Sequence, residues 1–385
     1  MKKKLLSLLL GTAMVATLFA GCGTKEKETT TVGSKTGASN TETDKTATDA
    51  PSTSASGYEL ALVTDLGTID DKSFNQGAWE GLKKYADENG ITYKYYQPQE
   101  GTTSSYVETI GLAIEGGAKL VVCPGFLFEE PIYLVQDKYP EVKFILLDGE
   151  PHSGDYSDFK TGSNVMPILF QEDQAGYLAG YAAVKDGNTK LGFMGGMAVP
   201  AVVRFGYGFV QGADAAAQEL GKTGIEIKYH YTGGFEATPE AKAMAASWYE
   251  SGTEVIFGCG GAVGNSVMAA AEEKGTKVIG VDVDQSSEST SVITSAMKML
   301  SVSVYDGISS YYDGTFPGGK TSRFTAENDG VGLPMSSSKF TTFNQADYDA
   351  ILGKLKANEI SIYNDITDTT TADVSLVVTT VNYVK

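Results

Sequence analysis

The sequence predicts an α/β protein made of two doubly wound parallel-sheet lobes joined by a hinge. That fold class rests on three observations. Short apolar strands alternate with helical segments through most of the 385 residues, and such alternation implies a parallel sheet with right-handed crossovers. Each predicted strand ends in polar or aromatic residues, at the edge where open α/β sheets bind ligands. A second run of the same units starts near residue 165, and the chain is long enough for two lobes.

The first unit, ELALVTDLGTIDDKSFNQGAWEGL at 59–82, sets the pattern. An apolar strand over 60–63 breaks into a polar loop holding Asp65, Gly67, Asp70 and Asp71, and a helix restarts around Ser73. Ser73 and Gln76 have capping-box spacing, which puts Phe74 and Asn75 at the mouth of the sheet. Phe74 also falls on one helical stripe with Ala78, Leu82 and Tyr85. Spacing alone therefore leaves its ring between core and site.

The segment 91–98 alternates as a strand, and 104–115 reads as a helix. Residues 119–132 hold a buried strand, a Gly125-Phe126 turn and a helix start; 141–152 is another strand. From 163 to 184 a strand leads into a helix with Ala175, Gly176, Ala179, Gly180 and Ala183, small residues that allow close helix packing. Further strand–turn–helix units follow at 191–220, at 225–250 with Phe235 at the junction, and at 254–275 with a Gly260-Gly261 turn. A strand at 277–285 ends in Asp282 and Asp284. The remainder predicts a short strand, a helix beginning at Lys298, a Gly-rich hairpin region, a helix near 345–358 and a β-rich tail. The expected lobes are 58–164 with about 295–340, and 165–294 with about 341–385.

The first 21 residues are read as a secretory signal: Lys2, Lys3 and Lys4, then an apolar run over 5–20, then Gly21 and Cys22. Phe19-Ala20-Gly21-Cys22 resembles a bacterial lipobox, with Phe where Leu is more usual, and predicts acylation of Cys22. Residues 22–57 are Thr-, Ser-, Ala-, Lys- and Glu-rich and read as a disordered tether from lipid to domain. No later stretch approaches the roughly 20 apolar residues that a spanning helix needs.

The formal charge is −18, and loss of the three signal lysines takes it to −21. So acidic a chain lacks the basic footprint of a nucleic-acid binder but excludes no small neutral ligand. Cys123 and Cys259 each lie inside an apolar run and read as buried hydrophobes. His152 and His230 are far apart, so no metal site is expected.

Gly314, Gly319, Lys320 and Thr321 match G-x-x-x-x-G-K-[ST], yet a phosphate loop needs a strand before it and a helix after it. Here a helix precedes and a strand and turn follow, so the match is set aside. The Gly260-Gly261 turn with Gly264 lacks dinucleotide-binding spacing and serves tight turning or close approach to an uncharged ligand. Asp65, Asp70, Asp71, Glu130, Asp282 and Asp284 all fall at or just beyond strand ends. With no nucleophile, elbow or metal spacing beside them, they read either as solvated loop carboxylates or as acceptors for ligand hydroxyl and N–H groups. No cofactor is expected.

LVTDLGTIDDKSFNQGAWEGL, GFLFEEPI, the Gly260-Gly261 turn, IGVDVDQ and TSAMK resemble the basic membrane protein family of purine-nucleoside-binding lipoproteins, substrate-binding components of ABC importers. The resemblance covers essentially the whole folded chain. It implies a type I periplasmic-binding-protein fold that closes on a nucleoside and performs no chemistry. It also implies a base held between Phe74 and Phe235 and contacted by Asn75 and by Glu130, which stands where Asp is typical. Ribose contacts would come from Asp282, Lys298 and the Gly260-Gly261 backbone, with Asp65 matching the acidic residue of the TDLG motif. The implied partners are a permease, a separate ATPase and the outer face of the cell membrane. A surface sensor for a sugar or signalling molecule is the alternative from a different class, and an extracellular nucleosidase a third.

Overall fold

The computed structural model describes residues 57–366 and 369–384. The expected signal segment, Cys22 and the tether up to residue 56 lie outside them. Among the described residues no helix is long and apolar enough to cross a membrane.

The first lobe opens with β1 (Leu60–Val63), α1 (Phe74–Asn89), β2 (Tyr93–Tyr96) and α2 (Thr103–Glu115). It continues through β3 (Leu120–Pro124), a 3₁₀ turn at Phe126–Phe128, α3 (Glu129–Val135), β4 (Lys143–Leu147) and β5 (Val165–Phe170). The second lobe runs α4 (Glu172–Lys185), β6 (Lys190–Gly195), α5 (Pro200–Glu219), β7 (Ile225–Tyr231), α6 (Pro239–Glu250), β8 (Val255–Cys259), α7 (Val263–Lys274), β9 (Lys277–Asp282) and β10 (Val292–Lys298). The chain returns with α8 (Leu300–Tyr312) and β11 (Ser322–Phe324), then crosses again to β12 (Val331–Gly332), α9 (Gln345–Lys356) and β13 (Thr379–Tyr383).

Two sheets result, with strand orders β11-β5-β4-β3-β1-β2 and β12-β10-β9-β8-β6-β7-β13. Their pairings are parallel apart from the antiparallel β10–β12. Alternate residues of each strand feed opposite faces. In β1, Leu60 and Leu62 join the core beneath α1, while Ala61 and Val63 join Tyr106 of α2 and Ile132 of α3 on the other side. The inner strands, such as β1, β3, β4, β8 and β9, are buried on both faces, which is why they read as continuous apolar runs.

Sheet membership departs from expectation in three places. Val165–Phe170 pairs with β4 and so belongs to the first sheet, whereas residues 295–298 stay in the second as the end of β10. The region read as a hairpin is no hairpin: β11 pairs with β5 in one sheet and β12 with β10 in the other. The tail contributes one strand, β13, beside β7. A buried parallel strand carries no local mark of which sheet it joins, so periodicity could not assign these segments.

The chain thus passes between lobes at 170–172, 298–300 and 324–331, and these passages lie side by side. Gln171 N–H donates to the Phe324 carbonyl at 2.9 Å and Met299 N–H to that of Gly330 at 3.0 Å. The small-residue stripe of α4 packs on α5 at backbone distance. A Cβ on Gly176 or Gly180 would collide with the Phe205 or Phe209 carbonyl, and one on Gly208 with that of Asp173. This contact fixes the starts of α4 and α5 together, next to the passage at 170–172.

Candidate functional site

A cavity of about 430 Å³ lies between the lobes at the carboxyl ends of their strands. That volume suits a small molecule. From the first lobe it is lined by the loop after β1, the start of α1, the turn after β3 and Asp148 after β4. The second lobe adds the start of α5, the loop after β7 with Phe235, the Gly260-Gly261 turn after β8, and Asp282 and Lys298 at the ends of β9 and β10.

Helix α1 starts at Phe74, but its cap is not the one the spacing predicts. Ser73 makes no side-chain cap. The Asp71 carboxylate accepts instead from the backbone N–H groups of Ser73, Asn75 and Gln76, at 2.8, 3.0 and 3.1 Å. The Ser73 hydroxyl is free to cross to the second lobe, where it donates to Asp282 Oδ2 at 2.6 Å. Gln285 Nε2 donates to the Lys72 carbonyl at 2.6 Å, a second tie across the cleft.

Asn75 is held as an oriented acceptor. Its Nδ2 donates to Asp65 Oδ1 at 2.8 Å and to Asp71 Oδ2 at 3.2 Å. Two carboxylates leave the amide one orientation, and its buried Oδ1 has no partner. Phe74 resolves the ambiguity of its stripe: Ala78, Leu82 and Tyr85 are core, while the Phe74 ring is half-buried and lines the cavity. Phe235 sits opposite in a seat made of glycine. A Cβ on Gly196 would come within 2.6 Å of its ring and one on Gly260 within 3.2 Å. Gly260 and Gly261, at φ +129° and +52°, also need glycine's backbone freedom.

The floor is an ion cluster around Lys298, which ends a strand rather than starting a helix. Its Nζ lies 2.5 Å from Asp148, 3.6 Å from Asp282 and 3.7 Å from Glu172. Lys298 also stands 4.5 Å above the Phe74 ring centre, a cation–π contact. Asp148 and Asp282 both adopt left-handed backbone, φ +58° and +66°, at strand ends, where such strain marks sites. Burial pushes Asp148 up to about 7 against the pull of Lys298, and pushes Asp71 up to about 6 despite its backbone hydrogen bonds. Burial likewise raises Asp65 and Asp282. Burial alone would depress Lys298, but Asp148, Asp282 and Glu172 override it and hold the ammonium charged.

Eight of the nine sequence-predicted ligand residues therefore line one cavity: Asp65, Phe74, Asn75, Phe235, Gly260, Gly261, Asp282 and Lys298. Glu130 does not. The 3₁₀ turn places Phe126 and Leu127 at the cavity, and Glu130, further along on α3, accepts from the Thr103 hydroxyl at 2.6 Å. Asp284 caps Ser286 N–H and meets Ser337. Sequence reasoning missed Asp148, Phe205, and the pair Glu172 and Arg204 behind the floor. The only local signal for that pair is charge beside stretches otherwise small and apolar.

Among the described residues no group of His, Cys, Asp or Glu suits a metal ion. Cys123 and Cys259 are buried and unbridged. The segment after Gly314 leads into β11 rather than a helix, so no phosphate loop forms.

Two parallel α/β lobes, three side-by-side passages and a lined cavity between them define a two-lobed periplasmic-type binding protein. The chain belongs to the PnrA-like family of ABC transporter substrate-binding proteins, whose model matches residues 58–367. It is 32% identical over 303 residues to the ABC transporter nucleoside-binding protein BmpA of Lactococcus lactis, covering 73% of this chain and 82% of that one. It is 30% identical over 315 residues to basic membrane protein A2 of Borrelia garinii, covering 80% and 90%. Among solved structures, an ABC transporter solute-binding protein from Aeropyrum pernix superposes with a TM-score of 0.66 at 24% identity, covering 79% of this chain and 87% of that one. One from Conexibacter woesei gives 0.63 at 23% identity, covering 80% and 99%.

Proposed function

We propose that this protein captures a nucleoside, with purine as the preferred base, and hands it to a membrane permease of an ABC importer. One observation carries the reading: aromatic rings from both lobes, Phe74 and Phe235, flank a cavity floored by Asp148, Lys298 and Asp282, with an unpaired Asn75 acceptor in its wall. Aromatic stacking contributes roughly 1–3 kcal/mol per base and tolerates any base. Asn75 Oδ1 would accept from a base N–H, and a ligand lacking that donor would leave a buried acceptor unpaired. The floor carboxylates and the Lys298 ammonium would bind ribose hydroxyls. They offer little to a phosphate, because acidic groups outnumber the cation.

The function is binding, with closure of the lobes about the three passages as its mechanism. The energy for transport would come from a separate ATPase. Acylation of Cys22 would hold the domain at the outer face of the cell membrane. The name of the Lactococcus relative supports the nucleoside.

Calorimetric titration tests this after carried-over ligand has been removed by unfolding and refolding. The panel is adenosine, guanosine, inosine, uridine, cytidine, AMP, ribose and galactose. Saturable one-to-one binding of a purine nucleoside is the expected result. A response to galactose or ribose and none to nucleosides would replace it with the sugar-sensor reading.

A further inference from the structure

Behind the floor lie two charged residues that do not line the cavity. Glu172, the first residue of α4, is fully buried, and Arg204, the fifth residue of α5, donates through Nε to Glu172 Oε2 at 2.7 Å. The other oxygen, Glu172 Oε1, has no hydrogen bond and stands 3.7 Å from Lys298 Nζ. Lys298 has three N–H donors. Among the described residues only Asp148 lies within hydrogen-bond distance of them.

Helix formation does not account for Arg204, since a cation near a helix's N-terminal end gains nothing from the macrodipole. Nor is its place set by the pair itself, because glycine-to-backbone contacts already fix α4 against α5. What Arg204 changes is the demand of Glu172 for a cation. A buried carboxylate stripped of one partner turns to the next, and the next cation is Lys298.

We propose that Arg204 is a positioning residue for ligand selectivity: by holding one oxygen of Glu172, it keeps that carboxylate from capturing the Lys298 ammonium. Lys298 is thereby left to donate to the hydroxyls of the ligand's sugar. The proposal rests on the nucleoside reading and adds a determinant that touches no ligand. In its absence a small rotation of Glu172 closes the 3.7 Å gap and turns an N–H away from the cavity.

The experiment is calorimetric titration of the full chain with inosine and with dideoxyinosine, which lacks both ring hydroxyls of the ribose. Wild type, Arg204→Gln, Arg204→Lys and the double variant Arg204→Gln/Glu172→Gln are compared. Wild type should prefer inosine. Arg204→Gln should lose roughly tenfold of that preference, the worth of one hydrogen bond to a charged group. Its affinity for dideoxyinosine should stay within about twofold, because that ligand does not use the donor. Arg204→Lys keeps the charge and should keep most of the preference. The double variant leaves neither charge unpaired and should restore it, and it remains informative if the single variant folds poorly.

Equal weakening of both ligands in Arg204→Gln would make Arg204 merely structural and overturn the proposal. An unchanged preference in that variant, or a double variant no better than the single, would overturn it as well. A wild type without any inosine response would instead refute the nucleoside reading, and this proposal with it.

Discussion

Replacing Lys298 with methionine should destabilise the protein in a pH-dependent way. The side chain is 2% exposed, and its ammonium compensates Asp148 at 2.5 Å and Asp282 at 3.6 Å, both buried. Glu172 would keep Arg204. Methionine matches the stem of lysine in length, so lost packing is small and the cost is two uncompensated carboxylates. Removing one partner of a buried ion pair costs about 3–5 kcal/mol, a large share of a typical 5–15 kcal/mol stability. Burial already holds Asp148 near 7, and losing Lys298 pushes it higher. A carboxyl raised in the folded state takes up a proton readily at pH 5 and at growing cost by pH 8. Asp148 should therefore make the penalty up to about 1.4 kcal/mol greater at pH 8 than at pH 5, the worth of the one pKa unit between its wild-type value and pH 8, and Asp282, also raised by burial, adds in the same direction. Urea unfolding of wild type and Lys298→Met at the two pH values reads this directly. Equal losses at both, or a loss under about 1 kcal/mol at pH 8, would refute the electrostatic account of the floor.

Other outcomes follow from the same geometry. Phe74→Ala should weaken purine nucleoside binding by the roughly 1–3 kcal/mol of one stacking contact, measured by calorimetry. Glu130→Gln should leave the order of base preference unchanged, because the carboxylate engages Thr103 away from the cavity; a reordered preference in the titration panel would contradict that placement. Ser73→Ala should leave helix α1 intact by circular dichroism while loosening lobe closure, since its hydroxyl ties to Asp282 and caps nothing. Asp71, raised from 3.8 to about 6, holds its proton more tightly folded than unfolded. Its contribution is full below about pH 4 and is lost as pH rises through 6, on the order of 3 kcal/mol in all. Urea midpoints between pH 4 and pH 7 should fall less steeply in Asp71→Asn than in wild type.

What could be read from the sequence was local. The carboxyl end of a strand is visible as an apolar run breaking into polar residues, and this located Asp65 and Asp282, while the capping-box spacing of Ser73 and Gln76 put Asn75 at the mouth of the sheet. Phe74 was ambiguous because a helix start puts core and site residues on adjacent positions of one stripe. The resemblance to a known family, rather than periodicity, singled out its ring and that of Phe235. Ser73 has the spacing of a cap, but Asp71 competes for the same N–H groups with a charged acceptor and wins. Glu130 was misplaced because a 3₁₀ turn between β3 and α3 alters which residues of the segment reach the cavity, and sequence does not announce that turn. Asp148 carries the same strand-end signal after β4 and was passed over, whereas Glu172 and Arg204 act through partners far away in the chain, so no window of sequence displays them. Lys298 was assigned to a helix start because β10 runs on to within a residue of α8, leaving no loop to mark the boundary.

The most direct measurement is a crystal structure of the protein with the purine nucleoside it binds best. The account predicts the base stacked between Phe74 and Phe235, a base N–H on Asn75 Oδ1, and ribose hydroxyls on Asp282 and Lys298. A nucleoside bound outside this cavity, or bound in it with its base away from both rings, would contradict the account.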